Sequence, residues 1–280
     1  MKKTIFLCLS LTLVFSSGCS WPEKASVGAD QSLKKSTISE QLPVERVILK
    51  GNQVWLDGKN VGLMQQDSQK FSELPEKLPN GASAYEVTDL KNGWLFVSGG
   101  EVSGEKSDLP KATGETYFWS KTKKQFERGH ELKTARFEHS VTDLGDGMWL
   151  ITGGKTLKPS EVYTKAVELF DAKRRLVTSI GALKVDRTNH SVLPLDKNRI
   201  LIVGGQTYSS DSANGMETKS VELYDLKHHS SKELGDLCRG RQGATLLLLE
   251  DGKVLVVGGR SSDSMKGSSA LPAEIVRVPL

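Results

Sequence analysis

The chain has 280 residues, with 38 Lys and Arg against 34 Asp and Glu and a formal net charge of +4. So small an excess gives no general argument for nucleic-acid binding. Only Cys8, Cys19 and Cys238 are present. With Cys8 and Cys19 at the extreme N-terminus, no internal disulfide framework is available, and a hydrophobic core must carry the stability.

The first predicted element is an export leader over residues 1–18. Lys2 and Lys3 precede an apolar stretch from Ile5 to Phe15, which is followed by small residues; this stretch is too short to be kept as a membrane span. The "SSGC" that follows resembles the lipobox of bacterial lipoproteins, although Ser16 stands where an aliphatic residue is usual. The resemblance implies that Cys19 becomes the lipidated first residue of the mature protein, and Ser20 after it implies the outer membrane, with the protein facing the periplasm or the cell surface. A plain secreted or periplasmic protein, with Cys19 cut away, is the alternative. Without Lys2 and Lys3 the mature chain is close to neutral. Residues 19–43 are polar without an apolar period and are expected to be a flexible tether.

The folded part is expected over residues 44–280. "VERVILKGNQVWLDGKNVGL" offers two or three short strands around turns at Gly51-Asn52 and Asp57-Gly58. "QKFSELPEKL", Gln69 to Leu78, reads as one further strand. Beyond it a repeat begins. Apolar runs "WLFVS", "MWLIT", "RILIV" and "KVLVV" end close to a double glycine at Gly99-Gly100, Gly153-Gly154, Gly204-Gly205 and Gly258-Gly259, spaced by 54, 51 and 54 residues. Such a period signals a propeller or solenoid. Each run is apolar on both parities, as in a strand buried on both faces.

Within each unit the register is kept. Asn92-Gly93, Asp146-Gly147, Lys197-Asn198 and Asp251-Gly252 precede the glycines and suit primed hairpin turns. Seventeen residues before the first glycine stand Ala82, Arg136, Arg187 and Arg241, and fourteen before it Tyr85, His139, His190 and Ala244. After a loop come third strands ("TYFWS", "VELFD", "VELYD", "AEIVR") and weaker fourth strands ("QFERG", "LVTSI", "SKELG"). Four antiparallel strands per unit of about 50 residues make the blade of an all-β propeller, with repeats near 79–132, 133–183, 184–237 and 238–280.

Arg136/His139/Gly153-Gly154/Phe170-Asp171 and Arg187/His190/Gly204-Gly205/Tyr224-Asp225 resemble the kelch repeat. The resemblance implies a kelch-type β-propeller of four clear blades and a degenerate fifth. Kelch propellers usually have six or seven blades, so ring closure is open. One expectation is that the third strand before Leu280 and the strand at Gln69–Leu78 complete a blade from the two chain ends. Another is that the strands upstream form the fifth blade and leave the last one short.

The double glycines admit a phosphate-binding and an architectural reading; recurrence without a GxGxxG or a lysine-containing loop favours architecture. Arg136, Arg187 and Arg241 begin the innermost strands and are expected near the funnel. There they either hydrogen-bond carbonyls between blades or hold the acidic group of a ligand, with His139 and His190 beside them. The polar loops after the glycines carry Tyr163 and Tyr208, the other binding candidates, on a rim that is otherwise simply solvated. On the opposite face Lys121, Lys123, Lys124, Lys173, Arg174, Arg175 and His228-His229 form either a basic rim or turns kept soluble by charge. Neither a metal nor a cofactor is expected.

Two kelch-like families are catalytic. The copper galactose oxidases need a Tyr-Cys crosslink and a His pair that Cys238 does not supply, and a sialic acid epimerase-type site needs an acid or base such as Glu138 or Asp186. The reading reached is an exported, lipid-anchored binding or scaffold protein of the cell envelope with a protein or glycan ligand, in contact with the membrane through its lipid alone. A sugar epimerase using the funnel is the alternative.

Overall fold

The computed structural model describes residues 38–50, 52–64, 74, 77–103, 110–158, 161–209, 212–261 and 271–279. The leader, Cys19, most of the tether and Gln69–Phe71 lie outside the described residues.

Among the described residues twenty-five strands form blades and small hairpins. The first four are β1 Ser39–Gln41, β2 Val47–Lys50, β3 Gln53–Leu56 and β4 Lys59–Leu63. The first repeat contributes β5 Glu86–Asp89, β6 Trp94–Ser98, β7 Glu101–Val102, β8 Lys111–Ala112, β9 Thr116–Ser120 and β10 Gln125–Arg128. In the second are β11 Ser140–Gly145, β12 Met148–Thr152, β13 Lys155–Lys158, β14 Glu161–Tyr163, β15 Ala166–Asp171 and β16 Leu176–Ala182. The third holds β17 Ser191–Pro194, β18 Arg199–Val203, β19 Gln206–Ser209, β20 Ser212–Glu217, β21 Ser220–Asp225 and β22 Ser230–Asp236. The last has β23 Thr245–Leu248, β24 Val254–Val257 and β25 Glu274–Val276.

Three repeats fold into antiparallel sheets in the predicted order: β5-β6-β9-β10, β11-β12-β15-β16 and β17-β18-β21-β22. The double-glycine strands are second in each sheet, where neighbours on both sides and both faces bury four of the five residues of β6, β12 and β18. That position explains why they are apolar on both parities. At Asp146-Gly147 both residues have positive φ, as a type I′ turn requires. Asn92-Gly93 and Asp251-Gly252 depart from that expectation, since only their glycines have positive φ, and so does Lys197-Asn198, where neither residue does. There Asp196 Oδ1 accepts from the backbone N–H groups of Asn198 and Arg199, both at 2.8 Å, and this side-chain cap replaces the left-handed pair.

The fourth blade corrects the expected closure. Its sheet runs β1-β25-β24-β23, so Ser39–Gln41, assigned to the tether by composition, is its outer strand. Of Gln69–Leu78, the described Leu74 and Leu78 are instead buried against the first blade, with Leu95, Val97, Tyr117 and Trp119. The degenerate fifth unit is the three-stranded sheet β2-β3-β4. It packs on the fourth blade through Val54, Leu255, Val257 and Ala273, with Leu42.

Successive blades are joined face to face. Phe96 and Phe118 meet Trp149, Ile151 and Phe170 between the first two, with the Phe96 and Phe170 rings stacked at 3.9 Å. Leu150 and Val167 meet Ile200, Ile202 and Tyr224 between the second and third. Leu201, Val203 and Val221 meet Leu246, Val254 and Val256 between the third and fourth. Burying these side chains stabilises by about 1.5–3 kcal/mol each, which is what holds a fold without disulfides together.

Candidate functional site

Each Arg-His-Gly-Gly set proves to be a joint between blades. Arg187 Nη1 donates to the carbonyls of Gly204 (2.8 Å) and Ser220 (3.1 Å), and Nη2 pairs with Glu222 Oε1 at 2.5 Å. Arg136 does the same with Gly153 O, Ala166 O and Glu168, and Arg241 with Gly258 O, Pro272 O and Glu274. All three guanidiniums and all three carboxylates are fully buried. The arginines are sealed from solvent, which corrects their candidacy as ligand contacts: their Nη groups bond the carbonyls and carboxylates at their own blade's second and third strands. Desolvation pushes the Glu222 carboxyl up, and Arg187, Ser231 and two backbone N–H groups outweigh it, so its pKa lies below the ordinary value.

The glycines complete the joint. The carbonyl of Arg241 accepts from Gly205 N at 2.8 Å, and a Cβ on Gly204, whose φ is +62°, would lie 2.3 Å from that same oxygen. Gly99 and Gly153 face the carbonyls of Arg136 and Arg187 in the same way. A nucleotide is not what these glycines admit; the next blade's backbone is. Gly100 and Gly154 press equally on Ser83 O and Phe137 O, and Gly259 on Gln242 O, each at 2.8 Å from the Cβ position. Gly258 is looser, meeting only Met64 Cε at 3.4 Å, because a different sheet follows it.

His139 and His190 are also buried, so they too are removed from the list of ligand contacts. Their Nε2 atoms bond Ser98 Oγ and Thr152 Oγ1 of the preceding blade, both at 2.8 Å. Burial, with the neighbouring arginine, lowers the His190 pKa to about 3 and holds His139 well below its ordinary value, so both rings are neutral. The carboxylates Glu168, Glu222 and Glu274 were missed by sequence reasoning. Their signal was a Glu recurring in the third strand one position after its first Val or Ala, a charged residue in an otherwise apolar segment.

Accessible residues lie just before the innermost strands, on the same face. Ala84, Glu138, Asn189 and Gly243 occupy equivalent positions before the innermost strands, all with φ between +50° and +64°. Left-handed non-glycine residues at one register in three blades are strained positions of the sort that collect at functional sites. Glu138 pairs with Lys155 at 2.8 Å, and its backbone carbonyl accepts from Thr188 Oγ1 at 2.6 Å. Asp186 accepts from Thr207 Oγ1 at 3.3 Å. The residues two beyond the first glycine, Glu101, Lys155, Gln206 and Arg260, bridge back to Ser83, Phe137, Thr188 and Gln242.

From these residues project three small hairpins, β7-β8, β13-β14 and β19-β20, where sequence reasoning saw only loops. They touch one another, β8 against β13 and β14 against β19. Tyr163 is buried among them, and burial raises its pKa, whereas Tyr208 is 59% exposed and Met216 52% exposed. On the opposite face His228 is held by Asp225 at 2.7 Å, and among the described residues no group of three or more His, Cys, Asp or Glu is placed to hold a metal ion.

Comparison with known proteins agrees with this architecture. No family model matches the chain. It is 30% identical over 151 residues to tRNA wybutosine-synthesizing protein 4 of Candida albicans, covering 49% of this chain and 21% of that protein. Over 149 residues it is 28% identical to human Kelch-like protein 34, covering 50% of this chain and 22% of that protein. The chain thus spans about a fifth of the length of these curated relatives. Among solved structures it is similar to that of YjhT, with a TM-score of 0.51 and 13% identity, covering 66% of this chain and 61% of that one. The fold is that of a kelch-type β-propeller.

Proposed function

We propose that this kelch-type β-propeller is an exported, lipid-anchored binding protein of a bacterial envelope that works without catalysis and presents one face to a protein or glycan partner. The observation that carries the reading is the row of three touching hairpins, with Tyr208 and Met216 exposed on a scaffold whose charged joints are sealed. Exposed aromatic and Met side chains on rigid supports are suited to recognition. The leader and the cysteine at position 19 support export and anchoring.

Radiolabelled palmitate should enter the protein through Cys19, and Cys19→Ala should abolish both labelling and membrane fractionation. Membrane association unchanged in the unlabelled variant would remove the anchor from the proposal. For recognition, the Cys19→Ala protein is screened against envelope proteins and glycans. Tyr208→Ala and Met216→Ser should weaken the captured interaction at unchanged melting temperature, and a partner indifferent to both would place recognition elsewhere.

A further inference from the structure

The ends of the blades opposite the hairpins form a second accessible surface. There each third strand turns into the fourth, at residues 121–124, 172–175 and 226–229, beside the turn that joins the first two strands. Backbone bonds hold the two turns together: Lys121 N donates to Gly93 O at 3.0 Å, Ala172 N to Gly147 O at 2.8 Å and Leu226 N to Asn198 O at 2.8 Å. In the fourth blade the outer turn is replaced by a break, because the third strand ends at Val276 and the fourth, β1, begins at Ser39. Ser39 is paired with Val276 as Ser231 is with Tyr224, and it donates to Glu274 as Ser231 does to Glu222. Ile38 therefore takes the place of Ser230, the first residue after the turn. The chain that carries Cys19 thus joins the fold on this surface.

The same surface carries positive charge that its own carboxylates do not take up. Lys121 pairs with Asp89, Lys91 with Asp143, Arg174 with Asp171, Arg199 with Asp196 and Lys253 with Asp251, while Asp225 is met by His228. Lys123, Lys124, Lys173, Lys197 and Lys227 are exposed, and among the described residues their ammonium groups have no partner. Asp146 and Glu250 are the acids that these turns leave unpaired. Both lie on the inner turns, whereas Lys123, Lys124, Lys173 and Lys227 sit on the outer ones. Lys173 lies across the inner turn of its own blade, its Cε 3.5 Å from the Cβ position of Gly147, which keeps its stem at that end. Lys124, Arg175 and His229 close the three outer turns with φ of 53°, 55° and 53°. Turn geometry alone would favour Gly or Asn there, so it does not account for the basic side chains.

We propose that this turn surface docks on anionic phospholipid headgroups, with Lys123, Lys124, Lys173 and Lys227 nearest the bilayer and the hairpins pointing away from it. The four lysines are spread over three blades, so they match a broad charged plane and not one small anion. Lysine suits that occupant, because a hydrated point charge on a long stem meets headgroup phosphates without a fixed geometry. The orientation also rests on the lipid anchoring proposed above. About twenty residues separate Cys19 from Ser39, a span of at most about 70 Å when fully extended. An anchored fold is therefore held close to the bilayer, with the surface at which the chain enters turned towards it. Docking itself needs no anchor, and the test uses that separation: the full chain with Cys19→Ala carries no lipid.

Cosedimentation at low salt, where screening is weak, compares this chain on vesicles of phosphatidylcholine and on vesicles of phosphatidylcholine with phosphatidylglycerol. The first kind reports any contribution of the apolar leader. Binding to the second should be stronger by about tenfold or more and should fall as salt is raised. Each basic residue close to an anionic surface strengthens binding about fivefold. Lys123→Gln, Lys124→Gln, Lys173→Gln and Lys227→Gln together should therefore abolish the difference between the vesicles, at unchanged melting temperature. Lys133→Gln, Lys165→Gln, Lys184→Gln and Lys219→Gln, at exposed lysines away from these turns, change the net charge equally and should leave most of the difference. Equal binding to the two kinds of vesicle, or an equal loss in the two sets of variants, overturns the proposal. So does binding of soluble polyglutamate without binding of the anionic vesicles, which would give the surface to an acidic macromolecule. Vesicle binding that succeeds where palmitate labelling of Cys19 fails removes the anchor and still supports the docking surface.

Discussion

Arg187→Met tests whether the arginines are joints and not ligand contacts. The substitution keeps the length of the side chain but strands Glu222, which is fully buried and is left with the N–H groups of Lys184 and Val185 and the Ser231 hydroxyl. It also leaves the carbonyls of Gly204 and Ser220 short of the donor they share. Breaking a buried pair by removing one member costs about 3–5 kcal/mol, mostly the penalty of the uncompensated charge. For a domain of this size that corresponds to a fall in Tm of about 6–20 °C.

The pH dependence gives an independent sign. In the parent the folded pKa of Glu222 lies below its unfolded value. Its contribution is therefore fully present above the unfolded value, about 4.3, and is lost as pH falls through the folded value. In Arg187→Met desolvation, opposed only by the Ser231 hydroxyl and two backbone N–H groups, should raise the folded pKa above the unfolded one, so the penalty is largest at neutral pH and shrinks on acidification. Differential scanning calorimetry of both proteins from neutral to mildly acid pH is the assay. A Tm within a degree or two of the parent, or a deficit that grows as pH falls, would refute the reasoning. So would Arg187→Met/Glu222→Leu if it were no more stable than Arg187→Met, because removing the stranded charge should recover part of the loss.

Gly204→Ala should destabilise by about 1–3 kcal/mol or more, since a Cβ meets the Arg241 carbonyl at 2.3 Å where φ is +62°; Gly252→Ala, in an open turn with nothing within 4 Å, should cost less, and equal melting temperatures for the two would contradict the joint. Ser39→Ala removes the hydroxyl that donates to Glu274 at 2.5 Å and accepts from Cys238 N at 2.9 Å, so urea titration should show a loss of about 1.5–3 kcal/mol, the scale for hydrogen bonds to charged groups. If Ser39 belonged to a tether, no change would be measured. His190, with a folded pKa of about 3, favours the folded state fully above its unfolded value of about 6.5 and does so less and less as pH drops towards 3. His190→Gln should flatten the stability profile between those limits, and a profile of unaltered slope would argue against a buried neutral ring.

The sequence by itself determined the repeat, most of the blade strands and the places where their hairpins turn, because these depend on local rules. Apolar runs bounded by Gly and Asn or Asp specify a buried strand and its hairpin within ten or so residues, and the recurrence of Gly99, Gly153, Gly204 and Gly258 at one register shows a shared backbone constraint. Tertiary structure alone decided what those residues face. An arginine at the start of a strand has the same sequence signature whether it is open to a ligand or paired with a carboxylate 32 to 35 residues later, as Arg136, Arg187 and Arg241 are. Three residues, Ser39–Gln41, are too few to show a period, so their pairing with Glu274–Val276 follows from the unpaired edge that β25 offers and from the Glu274 carboxylate that Ser39 meets.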